Sequence, residues 1–369
     1  MKNHFQQDCF EILLRRAAAG EISRRNFVKA ASALLAVPLT LRGKMVFAAD
    51  QLVLANWGGD AIQAYGDAFG VPFTEATGIP VRIDGSGPTE GAIQAQIASN
   101  TIIWDAIDAD ANVGLSLGNR GLLEALDYDK IDRAKIRPGW DREFVTPSYF
   151  FSYVLAYDSE MFGDEGPSTP ADFWDVEKFP GMRTMYKWMN GMVEAALIAD
   201  GVKPEELYPL DLDRALAKIA ALKPDIISFW GSGAESQQLL MEGEAAMGYV
   251  WNTRASLLSR DTDGRIKWKF DNAFLNPSSW ITLKGNPAGR DVAMDFIAST
   301  QKPESQVVLF EMLRNGPANP EADALIPEDQ RHLNCVSPEA VAVQVQLDQD
   351  WYADNYTAAL EKWLALVSA

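Results

Sequence analysis

Short apolar runs alternate with longer amphipathic stretches along most of the chain. Strand–helix–strand units of this kind are typical of a mainly parallel sheet with helices on both faces, so the pattern predicts an α/β fold. The apolar runs predict strands at Leu52–Ala55, Val81–Ile83, Trp104–Asp108, Val154–Tyr157, Ala245–Trp251 and Trp280–Leu283. The amphipathic stretches predict helices at residues 61–76, 91–99, 211–222, 288–300 and 348–367. The absence of repeats and of a flexible linker favours two α/β lobes joined by several crossings.

The N-terminal residues follow another pattern. The segment SRRNFVK at residues 23–29 is a complete twin-arginine motif, and a mild apolar stretch follows it at 30–41. That stretch is too short to span a bilayer, which takes about 20 residues, but it suits the apolar region of a signal peptide. Val46-Phe47-Ala48 supplies a cleavage site. The sequence therefore predicts that residues 1–48 are a cleaved twin-arginine signal peptide and that the mature chain is periplasmic.

Charge excludes several classes of partner. The 369-residue chain has 33 Lys and Arg against 51 Asp and Glu, a net charge of −18. Residues 1–48 hold eight basic and three acidic residues, so the remainder carries −23. A protein this acidic is not expected to bind nucleic acid or an anionic membrane surface, because binding to either requires a basic face on the protein.

Cysteine and histidine are too scarce for most metal and redox chemistry. Only Cys335 and His332 remain after the predicted cleavage, so neither an intramolecular disulfide nor a metal site is expected, and no cofactor is predicted. The HExxH motif and the phosphate-binding P-loop are missing. A secreted enzyme is therefore the least favoured interpretation.

Several segments resemble a known family in their order and spacing. They are FTEATGIPV at 73–81, WDAID at 104–108, GLLEALD at 121–127, STPADFW at 168–174, FPG at 179–181 and GEAAMGYVWN at 243–252. Together they resemble the periplasmic binding proteins of ABC importers, in the spermidine/putrescine (polyamine) branch, over residues 50–365. This resemblance implies that the protein binds a small molecule and does not catalyse a reaction.

The resemblance also implies a domain organisation. In that family, the type II periplasmic binding protein fold has two lobes that close on a ligand in the cleft between them. The implied lobes are 49–151 plus 277–318 and 152–276 plus 319–369. The chain would cross between them near 149–153, 276–280 and 315–319. The implied partners are an inner-membrane ABC permease and its ATPase, and the protein itself is expected to be a monomer.

The cleft residues modify the ligand that the resemblance implies. Aromatic side chains match the family at Trp57 and Trp251, with Trp230 near the second in sequence. Aromatic faces attract cations, which suits an amine. However, Trp188 and Ser278 stand where polyamine binders carry acids. The acceptors that remain for an amine are Asp60, Asp108, Asp110 and the neighbouring Asn112.

Two features favour an anionic group on the same ligand. The segment GSGAES at 231–236 predicts a helix N-terminus with free N–H groups, and Arg254 can bind a carboxylate. We therefore hypothesise a small zwitterion of the γ-aminobutyrate kind. A polyamine such as putrescine or spermidine, and a sugar or other small polar solute, stay open as alternatives. The predicted ligand-binding residues are Trp57, Asp110, Asn112, Trp188, Trp230, Trp251, Arg254 and Ser278.

Overall fold

A computed structural model describes residues 51–368 of the chain, and the predicted signal peptide lies outside them. Its strands form a single mixed sheet in the order β2-β1-β3-β9-β4-β7-β5-β6, with three further short strands alongside. The strands are β1 (Leu52–Ala55), β2 (Val81–Asp84), β3 (Ala106–Asp110), β4 (Thr146–Asp158), β5 (Arg183–Tyr186), β6 (Ile226–Trp230), β7 (Met247–Trp251), β8 (Ile266–Trp268), β9 (Phe274–Ile281), β10 (Gly316–Pro317) and β11 (Val345–Gln346).

Helices connect most of the strands and cover both faces of the sheet. They are α1 (Asp60–Tyr65), α2 (Val71–Thr77), α3 (Glu90–Ala98), α4 (Ala111–Asn119), α5 (Ser159–Phe162), α6 (Pro170–Trp174), α7 (Met192–Ala199), α8 (Leu212–Leu222), α9 (Gly233–Met241), α10 (Asn252–Asp261), α11 (Arg290–Ser299), α12 (Pro303–Leu313), α13 (Pro338–Val341) and α14 (Gln349–Ser368). A π-helical turn, Gly66–Gly70, joins α1 to α2.

The sheet has two parallel ends and an antiparallel centre. Strands β2, β1 and β3 pair in parallel at one end, and β7, β5 and β6 do so at the other. The two long strands β4 and β9 pair antiparallel to each other between them. Strand β9 also pairs with β3, and β4 with β7, so the two strands join both halves. The predicted α/β fold with two lobes is confirmed.

Each half has its own aromatic core. In the first half, the Trp280 ring packs edge-on against Phe69 and Phe296, with centroid distances of 5.9 and 5.7 Å. In the second half, Tyr249 lies 5.0 Å from Phe173 and 5.9 Å from Phe274. These buried rings exclude water from the two layers and hold the helices on the sheet, which fixes the loops at its strand ends.

Some strands differ from the expected ones. The third strand, β3, begins at residue 106 rather than at 104. The side chains of residues 104 and 105 instead make hydrogen bonds to the neighbouring strands β2 and β1. The Trp104 indole donates to Asp84 (3.0 Å), and the Asp105 carboxylate accepts from the Val53 N–H (2.7 Å). Strands β4 and β9 are longer than predicted. Strands β5 and β6 were not predicted because polar residues interrupt their short apolar runs.

Within residues 51–368, no helix is both long and apolar enough to span a membrane. The same residues contain no cluster of three or more His, Cys, Asp and Glu side chains that is placed to hold a metal ion.

Candidate functional site

A cavity of about 350 Å³ lies between the two halves of the sheet, where five parallel strands end. Open α/β sheets place their ligands at the carboxyl ends of the strands, and this cavity fits that rule. Its lining residues lie in or just after β1, β3, β5, β6 and β7, in β4, in the four helices α1, α9, α10 and α12, or in the loop after α12. They are Trp57, Gly58, Gly59, Ala61, Tyr65, Asp108, Asp110, Tyr149, Phe151, Tyr153, Tyr186, Gly231, Ser232, Gly233, Ala234, Trp251, Thr253, Arg254, Leu257, Leu313 and Asn315.

A larger groove, of about 1710 Å³, lies along β8 and residues 323–343. Charges of both signs line it, including Asp164, Lys267 and Arg331, and no parallel strand ends there. The smaller cavity is the better candidate for a specific site because it combines enclosure by aromatic rings with a few polar groups.

Aromatic rings form the walls of the cavity. Tyr186 lies 5.3 Å from Tyr153 and 5.6 Å from Trp251, measured between ring centroids. Phe151 lies 6.3 Å from Trp251. The indole N–H of Trp251 has no hydrogen-bond partner among the described residues. The walls therefore offer π faces to a cation.

Asp108 lies at the base of the cavity and is fully engaged by neighbouring hydroxyl groups. Its carboxylate accepts hydrogen bonds from Tyr65 (2.6 Å), Ser148 (2.7 Å) and Ser278 (2.6 Å). Burial raises the pKa of Asp108 to about 6, although these three donors oppose the rise. Asp108 therefore orients Tyr65 in the wall and has little capacity left for a ligand.

Asp110, two residues further along β3, is in a different situation. It stands at the N-cap position of α4 but makes no capping bond, and its side chain has no hydrogen-bond partner within residues 51–368. Burial, together with the nearby Asp108 charge, raises the pKa of Asp110 to about 7. An unpartnered carboxyl group beside aromatic walls is a natural acceptor for an amine.

Arg254 brings positive charge to the second half of the cavity. It lies in the first turn of α10, and its guanidinium Nη1 is 3.3 Å from Gln237 Oε1. The same nitrogen is 3.8 Å from Asp60 Oδ2, on the other half of the sheet. This contact connects the two halves at the mouth of the cavity, where Asp60 is largely exposed.

The loop before α9 lies next to Arg254, and part of its hydrogen-bonding capacity is already used. The Ser232 hydroxyl caps the helix by accepting from the Glu235 N–H (3.2 Å), and the Glu235 carboxylate accepts from the Gly231 N–H (2.8 Å). The N–H groups of Gly233 and Ala234 make no hydrogen bond to any described residue. The expected free helix N-terminus is thus reduced to these two donors, which border the cavity beside the guanidinium.

Four of the eight predicted ligand-binding residues line the cavity. They are Trp57, Asp110, Trp251 and Arg254. Trp57 is 38% exposed at the mouth, so it is free to cover a bound molecule.

The other four predicted residues lie outside the lining. Trp230 is fully buried behind Tyr186, 4.5 Å away between centroids, and its indole donates to the Tyr249 carbonyl. Trp188 packs on the same tyrosine at 5.0 Å. Ser278 supports Asp108, as described above. The remaining one, Asn112, is 2% exposed, and its Oδ1 has no partner in the described part of the chain.

Sequence reasoning missed all four tyrosines of the lining. Tyr149, Phe151 and Tyr153 alternate along β4 and all line the cavity, because alternate residues of a strand face the same side. This alternation is visible in the sequence, although only a crossing between lobes is predicted there, from the family resemblance. Tyr65 and Tyr186 carry no comparable signal, since each is a single aromatic residue at the end of its element.

Comparisons with known proteins agree with this architecture. The family model of bacterial extracellular solute-binding proteins matches residues 68–332. The γ-aminobutyric acid-binding protein of Pseudomonas aeruginosa is 30% identical over 310 residues, which cover 82% of this chain and 87% of that protein.

Two solved structures are similar along their whole length. The protein described as the Atu4243-GABA receptor is 34% identical, with a TM-score of 0.79, over 86% of this chain and 97% of that chain. An ABC transporter substrate-binding protein from Bradyrhizobium japonicum is 33% identical, with a TM-score of 0.80, over 86% and 99% of the two chains. The chain therefore belongs to the bacterial extracellular solute-binding protein family, as the solute-binding protein of an ABC transporter.

Proposed function

We propose that the protein binds a small zwitterion of the γ-aminobutyrate kind, with an amine at one end and a carboxylate at the other. The observation that carries the proposal is the pairing of two unlike poles in one aromatic cavity. Asp110 offers an unpartnered carboxyl group at one pole. Arg254 and the N–H groups of Gly233 and Ala234 offer donors at the other.

The relatives support the same ligand class. Both the curated relative and one of the similar structures are named for γ-aminobutyrate. Each pole adds a charge-assisted hydrogen bond, worth about 1.5–3 kcal/mol when both partners are well placed. A ligand that satisfies both poles gains two such terms, and it also excludes water from the aromatic walls.

A polyamine is the second candidate. Two acids and several aromatic faces in one cavity favour a cation, and this observation supports putrescine or spermidine. However, the second ammonium of a polyamine would approach the positively charged Arg254. Asp60 neutralises that charge only in part, because the two groups are 3.8 Å apart. We expect the zwitterion to bind more tightly for this reason.

Transport follows from closure of the two halves. We propose that lobe 1 comprises 49–151 plus 277–318 and lobe 2 comprises 152–276 plus 319–369. A ligand that contacts Asp110 on one side and Arg254 on the other stabilises the closed form, which would dock on the permease and its ATPase. The predicted twin-arginine leader would bring a monomer to the periplasm, where this binding takes place.

Calorimetric titration of ligand-stripped, refolded protein tests the proposed ligand. The test set is γ-aminobutyrate, butyrate, butylamine and putrescine. We expect γ-aminobutyrate to bind most tightly, and each analogue with a single charged group to bind about 10- to 100-fold more weakly because it leaves one pole unpaired. Tight binding of putrescine with no response to γ-aminobutyrate would overturn the proposal in favour of the polyamine.

A further inference from the structure

The two carboxyl groups at the end of β3 have unequal surroundings. Asp108 and Asp110 are two residues apart on one strand, so their side chains point to the same face, about 7 Å apart along the strand. Asp108 accepts three hydroxyl hydrogen bonds, whereas Asp110 accepts none from the described residues. A negative charge is therefore better stabilised on the first than on the second.

Among residues 51–368, no cation compensates Asp110. The titratable groups that face it are Asp108 on its own strand, Tyr149 and Tyr153 on β4, Tyr186 on β5 and Tyr356 on α14. Burial raises the pKa of all four phenols, so they remain neutral at physiological pH. Arg254 lines the same cavity, but its charged neighbour is Asp60. Asp110 in the empty site therefore faces only neutral rings and a second acid.

We infer that the ligand's amine displaces a proton from Asp110, so that binding is coupled to proton release. The inference rests on the proposed function, because it requires a ligand with an ammonium group. In the empty cavity, a proton on the Asp110 carboxyl removes the second negative charge. When the ligand enters, the O–H bond breaks and the proton passes to solvent. The ammonium keeps its own protons and donates a hydrogen bond to the carboxylate.

This exchange makes the affinity depend on pH. Burial and Asp108 raise the pKa of Asp110 to about 7 in the empty site, and a bound ammonium lowers it again. Since the amine and the carboxylate of γ-aminobutyrate do not titrate between pH 6 and 8, the protein accounts for any dependence in this range. The affinity should therefore rise about tenfold from pH 6 to pH 8 and then level off.

Proton release can be counted directly. Calorimetric titration at pH 6.5 in two buffers of different ionisation enthalpy gives the number of protons released per ligand bound. We expect roughly three quarters of a proton at pH 6.5 and almost none at pH 8.5, as follows from a pKa near 7. Asp110→Asn should bind more weakly and release no proton at either pH.

Asp129→Asn is the matched control. It removes an exposed carboxylate whose side chain has no partner among the described residues, so it should leave both affinity and proton release unchanged. Binding of γ-aminobutyrate by the wild-type protein without proton release at pH 6.5 would overturn the inference and leave the proposed function standing. If putrescine binds and γ-aminobutyrate does not, the proposed ligand is wrong. The number of protons released per putrescine bound then decides whether the inference about Asp110 holds. If no amine binds, both fail.

An independent measurement does not need a ligand. The carboxyl carbon signals of aspartate can be followed by NMR against pH in the empty protein, and the Asp110→Asn variant assigns the signal that disappears. We expect that signal to titrate near pH 7. Titration at the ordinary aspartate value would overturn the inference even if binding were normal.

Discussion

Arg254 packs directly on the backbone of Gly233. A Cβ added at residue 233 would lie 3.0 Å from the Arg254 Cζ and closer still to Nε. The guanidinium can therefore stand beside the α9 N-terminus only because residue 233 has no side chain. This contact places a positively charged group and two unused backbone donors at one end of the cavity.

Gly233→Ala should displace the guanidinium without disrupting the fold. Gly233 lies in the first turn of a helix, where alanine is favourable, and the atoms in its way belong to a flexible side chain. We expect affinity for γ-aminobutyrate to fall about tenfold in calorimetric titration, with little change in melting temperature. Gly91→Ala is the matched control, because nothing lies within 4 Å of an added Cβ there. Equal affinity of the two variants would contradict this account.

Arg254→Met should separate the two ligand classes. Removing the guanidinium leaves a ligand carboxylate without its cation, so γ-aminobutyrate should bind about 10- to 100-fold more weakly. Putrescine should bind at least as well as before, because it loses a repulsive charge. Competition titration measures both changes. Arg260→Met, on the exposed side of the same helix, should alter neither. A similar loss for both ligands would contradict the proposed role.

Asp110→Asn should also change how the stability of the empty protein depends on pH. A carboxyl group whose pKa rises from 3.8 to about 7 on folding binds more protons in the folded state, so its contribution to stability is lost as pH rises between these values. The Asn side chain does not titrate, so the variant does not lose stability in this way as pH rises. We expect the unfolding free energy of the variant relative to wild type to be roughly 3 kcal/mol greater at pH 7.5 than at pH 4.5. Urea unfolding at the two pH values measures the difference. A constant difference would show that residue 110 does not titrate in this range.

Tyr352→Phe should lower stability away from the site. The buried Glu194 carboxylate accepts from Tyr208 (2.6 Å) and Tyr352 (2.8 Å), which ties α14 to α7. Removing one hydroxyl leaves a buried carboxyl group with fewer donors, which should cost about 1–3 kcal/mol of unfolding free energy in urea. Affinity for γ-aminobutyrate should be retained. Tyr128→Phe, whose hydroxyl bonds an exposed carbonyl, should cost less. A loss of affinity without a loss of stability would contradict this structural role.

Part of the site could be predicted from the sequence. The family resemblance indicates Trp57 and Trp251 as cleft residues, and both line the cavity. Local pattern indicates Asp110 and Arg254, because each comes shortly after a predicted strand. The alternating rings of β4 are equally visible in the sequence, but only a crossing between lobes is predicted there, from the resemblance.

Side-chain pairing between distant segments was not predictable. Asp108 bonds Tyr65, 43 residues earlier in the chain, and Ser278, 170 residues later. No local periodicity encodes such partners, so the sequence did not distinguish an occupied carboxylate from a free one. Trp230 was misjudged for a related reason. It follows the pattern of the other cleft tryptophans, but Tyr186 covers it.

The antiparallel centre of the sheet has a consequence for biosynthesis. Strand β3 acquires its second neighbour only when β9 pairs with it, and β9 ends at residue 281 of 369. The first half therefore cannot complete its sheet until about three quarters of the chain has been made. The first half must therefore wait for β9, and a truncated product that stops before β9 should expose an open strand edge to aggregation.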